Sequence, residues 1–225
     1  SAALGLAKAR DLQGRHNKIF AVIGDGALSG GMAYEALNNA ARLRSNMIIV
    51  LNDNQMSISK NVGGMSNYLG KIRTDTNYTE LKQDVENALE KLPHFGNRLT
   101  ERIRGVKDLI KRIFIPGMLF EDMGITYIGP IDGHDIGQMV TAFNSAKLNA
   151  AVIVHVVTQK GKGYPPAQKD PSSFHGVGPF RVSDGTLLHS KKDVPTYTKV
   201  FQNVMLETME DREDVVAISA AMPTG

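Results

Sequence analysis

Four stretches of this 225-residue sequence carry side chains that could do chemistry. Gly24-Asp25-Gly26 follows the apolar run Ile19 to Ile23, and Asn52-Asp53-Asn54-Gln55-Met56 follows the apolar run Met47 to Leu51. Further on, Lys160-Gly161-Lys162-Gly163-Tyr164 comes directly after Ala151 to Thr158, with Phe174-His175-Gly176 a little beyond it. Glycines after a strand let backbone amides approach a phosphate, and a following helix N-terminus favours the anion. Asp25 adds a carboxylate that phosphate alone would not require. Beside a diphosphate it makes sense if a divalent cation lies between them, since Mg2+ takes a few protein oxygens and completes its octahedron with phosphate oxygens. The first turn therefore predicts a metal.

For the second turn to share that ion, the elements between them must return the chain to the same edge. The pattern alternates: a helix to about Gln13, a stop at Gly14, a strand Ile19 to Ile23, a glycine turn, a helix Gly31 to Leu43 and a strand Met47 to Leu51. This βαβ unit places both turns at the carboxyl end of neighbouring parallel strands, where such sheets bind ligands. Further strands are expected at Thr126 to Ile128, Ala151 to Val157 and Val215 to Ser219. Continuous apolar strands joined by helices give an α/β fold class, a parallel sheet in a three-layer αβα arrangement. Residues 57–115 interrupt the rhythm with polar and basic stretches, Pro93 and a charged helix from about Arg98 to Arg112. Residues 159–195 are rich in proline and glycine and read as a long connection, with a second α/β domain starting near Pro195. An Ala/Leu-rich helix opens the chain and an apolar strand nearly closes it, so the fold is expected to be incomplete at both ends.

Composition narrows the field. At 42% hydrophobic and 22% charged the chain has the make-up of a globular protein, and disorder is not expected. Its 26 basic and 23 acidic residues leave a net charge of only +3, which argues against nucleic acid as a partner and leaves small anions. Without cysteine there is no disulfide, thiol nucleophile or thiolate ligand, so a metal must be held by oxygen or imidazole. The apolar runs are too short to span a bilayer, and the reading expects a cytoplasmic protein with no membrane partner.

Competing readings of the same residues are weaker. As a dinucleotide fingerprint, Gly24-x-Gly26-x-x-Ser29 has serine in place of the third glycine, and no acidic ribose anchor ends the second strand. Two unrelated polar turns would also fit the composition, but their spacing, with 27–51 between them, and their paired position at strand ends argue otherwise. His155 lies inside an apolar strand and reads as a hydrogen-bonded core residue. Asp135 with Gln138 reads as a capping box, the sequence leaves His134 unassigned, and the basic set Arg102, Arg104, Lys107, Lys111 and Arg112 reads as a solvated face.

A GDG turn followed some 25 residues later by NDN is similar to the signature of thiamine diphosphate enzymes. Beyond that signature the chain resembles the 1-deoxy-D-xylulose-5-phosphate synthase family almost throughout. The likeness rests on residues 24–27, 31–38, 51–59, 116–121, 127–135 and 160–164. Transketolase shares only parts of these. The resemblance implies that Asp25, the side-chain oxygen of Asn54 and the backbone carbonyl of Met56 bind Mg2+, and that Gly26 and Ala27 contact the diphosphate through their amides. It places Tyr164 against the cofactor, Lys160 near substrate or diphosphate, and His175 in the active site as a proton-transfer or phosphate-contacting residue.

The family joins pyruvate to D-glyceraldehyde 3-phosphate with loss of CO2, supplying precursors of isoprenoids, thiamine and pyridoxal phosphate. The resemblance also sets the domains: a diphosphate- and Mg-binding domain over 1–182 with a mobile excursion at 57–115, a linker at 183–194, and the start of a pyrimidine-binding domain at 195–225. The family's homodimer, or a complementary chain, is the expected protein partner. The glutamate that activates the cofactor's aminopyrimidine falls outside this sequence, so the chain alone is expected to have little or no synthase activity. Two other readings are another transketolase-like enzyme and a non-catalytic binding module; donor preference and cofactor affinity separate them.

Overall fold

A computed structural model describes residues 1–74, 119–147, 150–188 and 194–218. The expected basic helix, Pro93 and residues 116–118 of the family-like stretch lie outside them. The described chain forms two compact units.

The first unit, residues 1–57 with 61–158, is built on four parallel strands in the order β1-β2-β4-β3. They are β1 (Phe20–Gly24), β2 (Met47–Asp53), β3 (Thr126–Asp132) and β4 (Ala151–Val157). The helices of this unit are α1 (Ala2–Leu12), α2 (Gly31–Leu43), α3 (Gly64–Thr74), the single turn α4 (Leu119–Asp122) and α5 (Ile136–Ala146). The two inner strands are buried almost throughout, as continuous apolar runs require when both faces of a sheet are covered. Alternate residues serve alternate faces. Met47, Ile49, Leu51, Tyr127 and Ile153 pack with Ala7 of α1, Leu37 and Ala40 of α2, Leu69 and Ile72 of α3 and Phe120 of α4. Ile48, Val50, Val152, Val154 and Val156 pack with Ala142 and Ala146 of α5. The expected three-layer α/β arrangement is what forms.

Three differences from the sequence reading bear on function. β2 and β3 run past their last apolar residue into Asp53 and Asp132, each of which still pairs with Val157 of β4. A short 3-10 turn, Asp25–Ser29, separates β1 from α2, so the glycine turn does not lead straight into the long helix. The expected strand at Val215 to Ser219 is not formed over its described residues 215–218. Ile218 is 95% exposed there, and among the described residues no strand lies beside the run for it to pair with. The reading of Asp135 as a cap is met: its carboxylate accepts the Gln138 amide at 3.0 Å and the Gln138 side chain at 2.9 Å, opening α5.

The second unit, residues 58–60 with 159–218 of the described chain, is more than a connection. It holds α6 (Pro165–Lys169), α7 (Tyr197–Asp211) and a cluster in which Tyr164, Phe174 and Phe180 meet with centroids 5.3–5.8 Å apart. Phe180 and Leu187 form an antiparallel bridge around the turn that the Arg181–Asp184 pair closes. Among the described residues no helix is long and apolar enough to cross a membrane.

Gly129 of β3 shows how tightly the sheet is fitted. It has φ +130°, and a Cβ there would stand 2.6 Å from the His155 carbonyl oxygen. Gly129→Ala is therefore expected to destabilise the chain by about 3 kcal/mol through combined backbone strain and overpacking, read as a lowered urea midpoint at unchanged slope.

Candidate functional site

Parallel pairing of β1 with β2 places Gly24 opposite Asn52, so Asp25 and Asp53 leave one edge of the sheet side by side. Asp25 is 6% exposed. Its carboxyl accepts the Gly26 amide at 3.0 Å, interacts with the Gln55 amide and, when protonated, donates to the Asp53 carboxylate. The two turns expected to share an ion therefore meet. Gln55, between the expected ligands Asn54 and Met56, has φ +65°, a left-handed conformation that costs a non-glycine residue about 1 kcal/mol. Three contacts hold it: Asp53 Oδ1 accepts the Gln55 amide at 3.1 Å, the Gln55 carbonyl accepts the Asn61 amide at 3.0 Å, and Asn54 Oδ1 accepts the Met56 amide at 3.0 Å.

Beneath this turn lies a network that the sequence reading did not assemble. Asp53 is fully buried, and its Oδ2 accepts both the Arg73 guanidinium of α3 and His155 Nε2, the latter at 2.9 Å. His155 Nδ1 meets the Tyr127 hydroxyl at 2.6 Å. A carboxylate can only accept, so Nε2 carries the proton and the donors run from Tyr127 through His155 to Asp53. His155 is thus the hydrogen-bonded core histidine expected of it. The sequence reading gives Asp53 no role, because the ligand pattern falls on Asn54 and Met56 beside it. The available signal was His155 itself, a polar residue in an apolar strand that needs a buried partner.

The two carboxyls are driven apart electrostatically. Burial, then the neighbouring Asp53 carboxyl, raises Asp25 to about 6. Burial alone would raise Asp53 as well, but hydrogen bonds from His155, Asp25 and Arg73 outweigh it and hold Asp53 well below the usual carboxylate range.

The donors fit a hard cation. They comprise one carboxylate, the Asn54 amide oxygen, which keeps a second lone pair after accepting from Met56, and the Met56 carbonyl. Among the described residues no three His, Asp or Glu side chains gather as a metal cage, so an ion here would need oxygens from a bound ligand. Gly26 suits close approach: a Cβ on it would lie 3.2 Å from Asn61 Oδ1 and 3.3 Å from Ser57 Cβ. Its amide is occupied by Asp25 Oδ1, and Ala27 follows in the 3-10 turn.

The other expected residues belong to the second unit. Lys160 Nζ lies 2.9 Å from His175 Nδ1. Lysine has no acceptor and must donate, which puts the imidazole proton on Nε2 and makes that nitrogen the donor His175 can offer. The Tyr164 hydroxyl donates to the Val182 carbonyl at 2.9 Å, so its ring face, not its hydroxyl, is what it can present. His134 is exposed, and its amide donates to Asp132 Oδ1 at 2.8 Å.

Fold and site define an α/β protein that gathers oxygen donors at the carboxyl edge of a parallel sheet. The family model described as 1-deoxy-D-xylulose-5-phosphate synthase matches residues 1–158, and the chain belongs to this family. It is 59% identical to the 1-deoxy-D-xylulose-5-phosphate synthase of Lachnoclostridium phytofermentans and 51% identical to that of Natranaerobius thermophilus, over 226 aligned positions. These matches cover 100% of the chain and 36% of each relative, so the chain spans little more than a third of their length. The solved transketolase of Campylobacter jejuni is similar with a TM-score of 0.44 and 20% identity, over 93% of this chain and 28% of that one.

The raised Asp25 sets a pH dependence of opposite sign to that of a paired carboxylate. Its contribution to folding is fully present below about pH 4 and is lost as the pH rises through about 6. Asp25→Asn is expected to leave the metal-free chain unchanged near pH 4 and to stabilise it by about 1–2 kcal/mol at pH 8. Urea unfolding at the two pH values measures this; equal stabilisation at both contradicts it.

Proposed function

We propose that the chain is the diphosphate- and cation-binding portion of a thiamine diphosphate-dependent 1-deoxy-D-xylulose-5-phosphate synthase. The reaction joins pyruvate to D-glyceraldehyde 3-phosphate, forming one carbon–carbon bond and releasing one CO2. The observation that carries the reading is the meeting of Asp25 with the turn 53–56 at a single sheet edge. Membership of the synthase family supports it. Asp25, Asn54 and the Met56 carbonyl would hold Mg2+, with Gly26 and Ala27 lining the approach of the diphosphate. The bound cofactor supplies the electron sink that pyruvate decarboxylation needs.

The chain's own residues bind, orient and move protons. Hard oxygens on two turns fix the cation, and through it the diphosphate, in one position. Tyr164 offers a ring face for apolar packing. Lys160 offers a cation suited to a carboxylate or phosphate, and by its hydrogen bond it presents His175 as an Nε2–H donor able to contact phosphate or pass a proton. The homodimer of the family, or a complementary chain, would complete the active site.

Calorimetric titration with thiamine diphosphate tests this reading. Binding is expected only with Mg2+ present, and Asp25→Ala or Asn54→Ala should each weaken it by more than about tenfold. Undiminished binding by both variants would refute the assigned cation site. Given pyruvate and D-glyceraldehyde 3-phosphate, the isolated chain is expected to form no more than a trace of product, and robust turnover would show that it needs no further sequence.

A further inference from the structure

Asp53, the buried carboxylate next to the proposed cation site, is not itself one of the groups that would hold the ion. Asp53 is wholly buried, and each of its oxygens has a separate task. Oδ2 is gripped by Arg73 from α3 and by His155 from β4, which the Tyr127 hydroxyl of β3 steadies from its other nitrogen. Oδ1 is thereby aimed at the Gln55 amide, the residue with φ +65° in the turn that displays Asn54 and the Met56 carbonyl. A carboxylate held at one oxygen from two directions cannot rotate, and so its second oxygen becomes a fixed acceptor. If that grip loosens, Gln55 loses one of the contacts that hold it, and an unfavourable backbone conformation with fewer contacts is freer to relax.

Charge points the same way. Asp25 and Asp53 leave adjacent strand ends side by side, and two ionised carboxylates so placed repel. Arg73 supplies one positive charge to the pair from the Asp53 side. With both carboxyls ionised, as beside a divalent cation, the pair keeps one negative charge at the edge where Asp25 stands.

We propose that Asp53, gripped by Arg73 and by the Tyr127–His155 pair, is a positioning residue that fixes the turn 53–56 and thereby sets the affinity of this edge for a divalent cation. The cation clause rests on the function proposed above; the turn clause does not. Through this carboxylate α3, β3 and β4 are tied to the turn. Arg73 in particular acts 20 residues away in sequence from the carboxylate it holds.

Amide hydrogen exchange on the whole 225-residue chain, paired with Mg2+ titration in the presence of thiamine diphosphate, tests both clauses. In Arg73→Met the Gln55 and Met56 amides should exchange about tenfold faster while those of Val50 and Val154 in the sheet keep their rates. Arg73→Lys should recover part of the protection. Tyr127→Phe, which removes one hydroxyl from a ring that stays packed, should act in the same direction by about threefold and carries the test if Arg73→Met does not fold. Mg2+ affinity should fall by about 10- to 100-fold in Arg73→Met and less in Tyr127→Phe. Unchanged turn exchange in the folded variants overturns the proposal. So does uniform acceleration across the sheet with unaltered Mg2+ affinity, since that would mark a role in global stability only. A wild-type chain that binds no Mg2+ while its turn amides respond as described refutes the cofactor reading and upholds the hold of Asp53 on the turn.

Discussion

A single buried carboxylate organises this edge of the sheet. Asp53 has no access to water, so its charge must be met inside the protein, and Arg73, His155 and the Asp25 carboxyl meet it. Removing any one would leave a charged oxygen short of partners, where the penalty for an unpaired buried charge is largest. Satisfying Asp53 therefore fixes the relative positions of α3, β2 and β4. The same demand fixes the turn that follows, because one of its two oxygens serves the Gln55 amide.

The parallel sheet makes this possible. In-register pairing carries β2 two residues beyond its apolar run, so that Asp53 still pairs with Val157 while Asn54 has already left the ladder. Neighbouring residues thus enter different environments: Asp53 turns into the core, and Asn54 enters the turn at the rim. On the adjacent strand Asp25 stands one position past Gly24, opposite this junction. The arrangement separates a carboxylate that stays ionised and structural from one that is left under electrostatic tension. Asp25 is raised because it is buried beside Asp53, and a divalent cation would relieve both causes by supplying positive charge where solvent is absent. A site of this kind favours an ion by being uncomfortable without one.

Much of this was legible in the sequence, for definite physical reasons. The runs at 47–51 and 151–157 are continuous and apolar because both faces of an inner strand are covered, and β4 forms over the residues so read. α2 forms over the residues expected of it, and the two polar turns at strand ends were visible because glycine, aspartate and asparagine there interrupt apolar runs. Strand ends were read short at Asp53 and Asp132, since periodicity stops at the last apolar residue whereas a hydrogen-bonded ladder ignores side-chain polarity. Residues 215–218 were read as a strand on apolar character alone, which is no substitute for a pairing partner.

The network behind the site was illegible for a different reason. Nothing about Arg73 distinguishes it in sequence from the other basic residues of 57–115, and Tyr127 belongs to a run read only as a strand. Their roles exist only once β3, β4 and α3 are assembled around Asp53, which makes them properties of the fold and not of any local motif. One clue was present, in that a histidine in the middle of an apolar strand must find a partner, and the partner had to come from the adjacent strand at or beside its own register position. His155 pairs with Leu51, and two residues further along the same face of β2 stands Asp53. Register arithmetic on neighbouring parallel strands, applied to buried polar residues and not only to apolar ones, brings Asp53 together with His155.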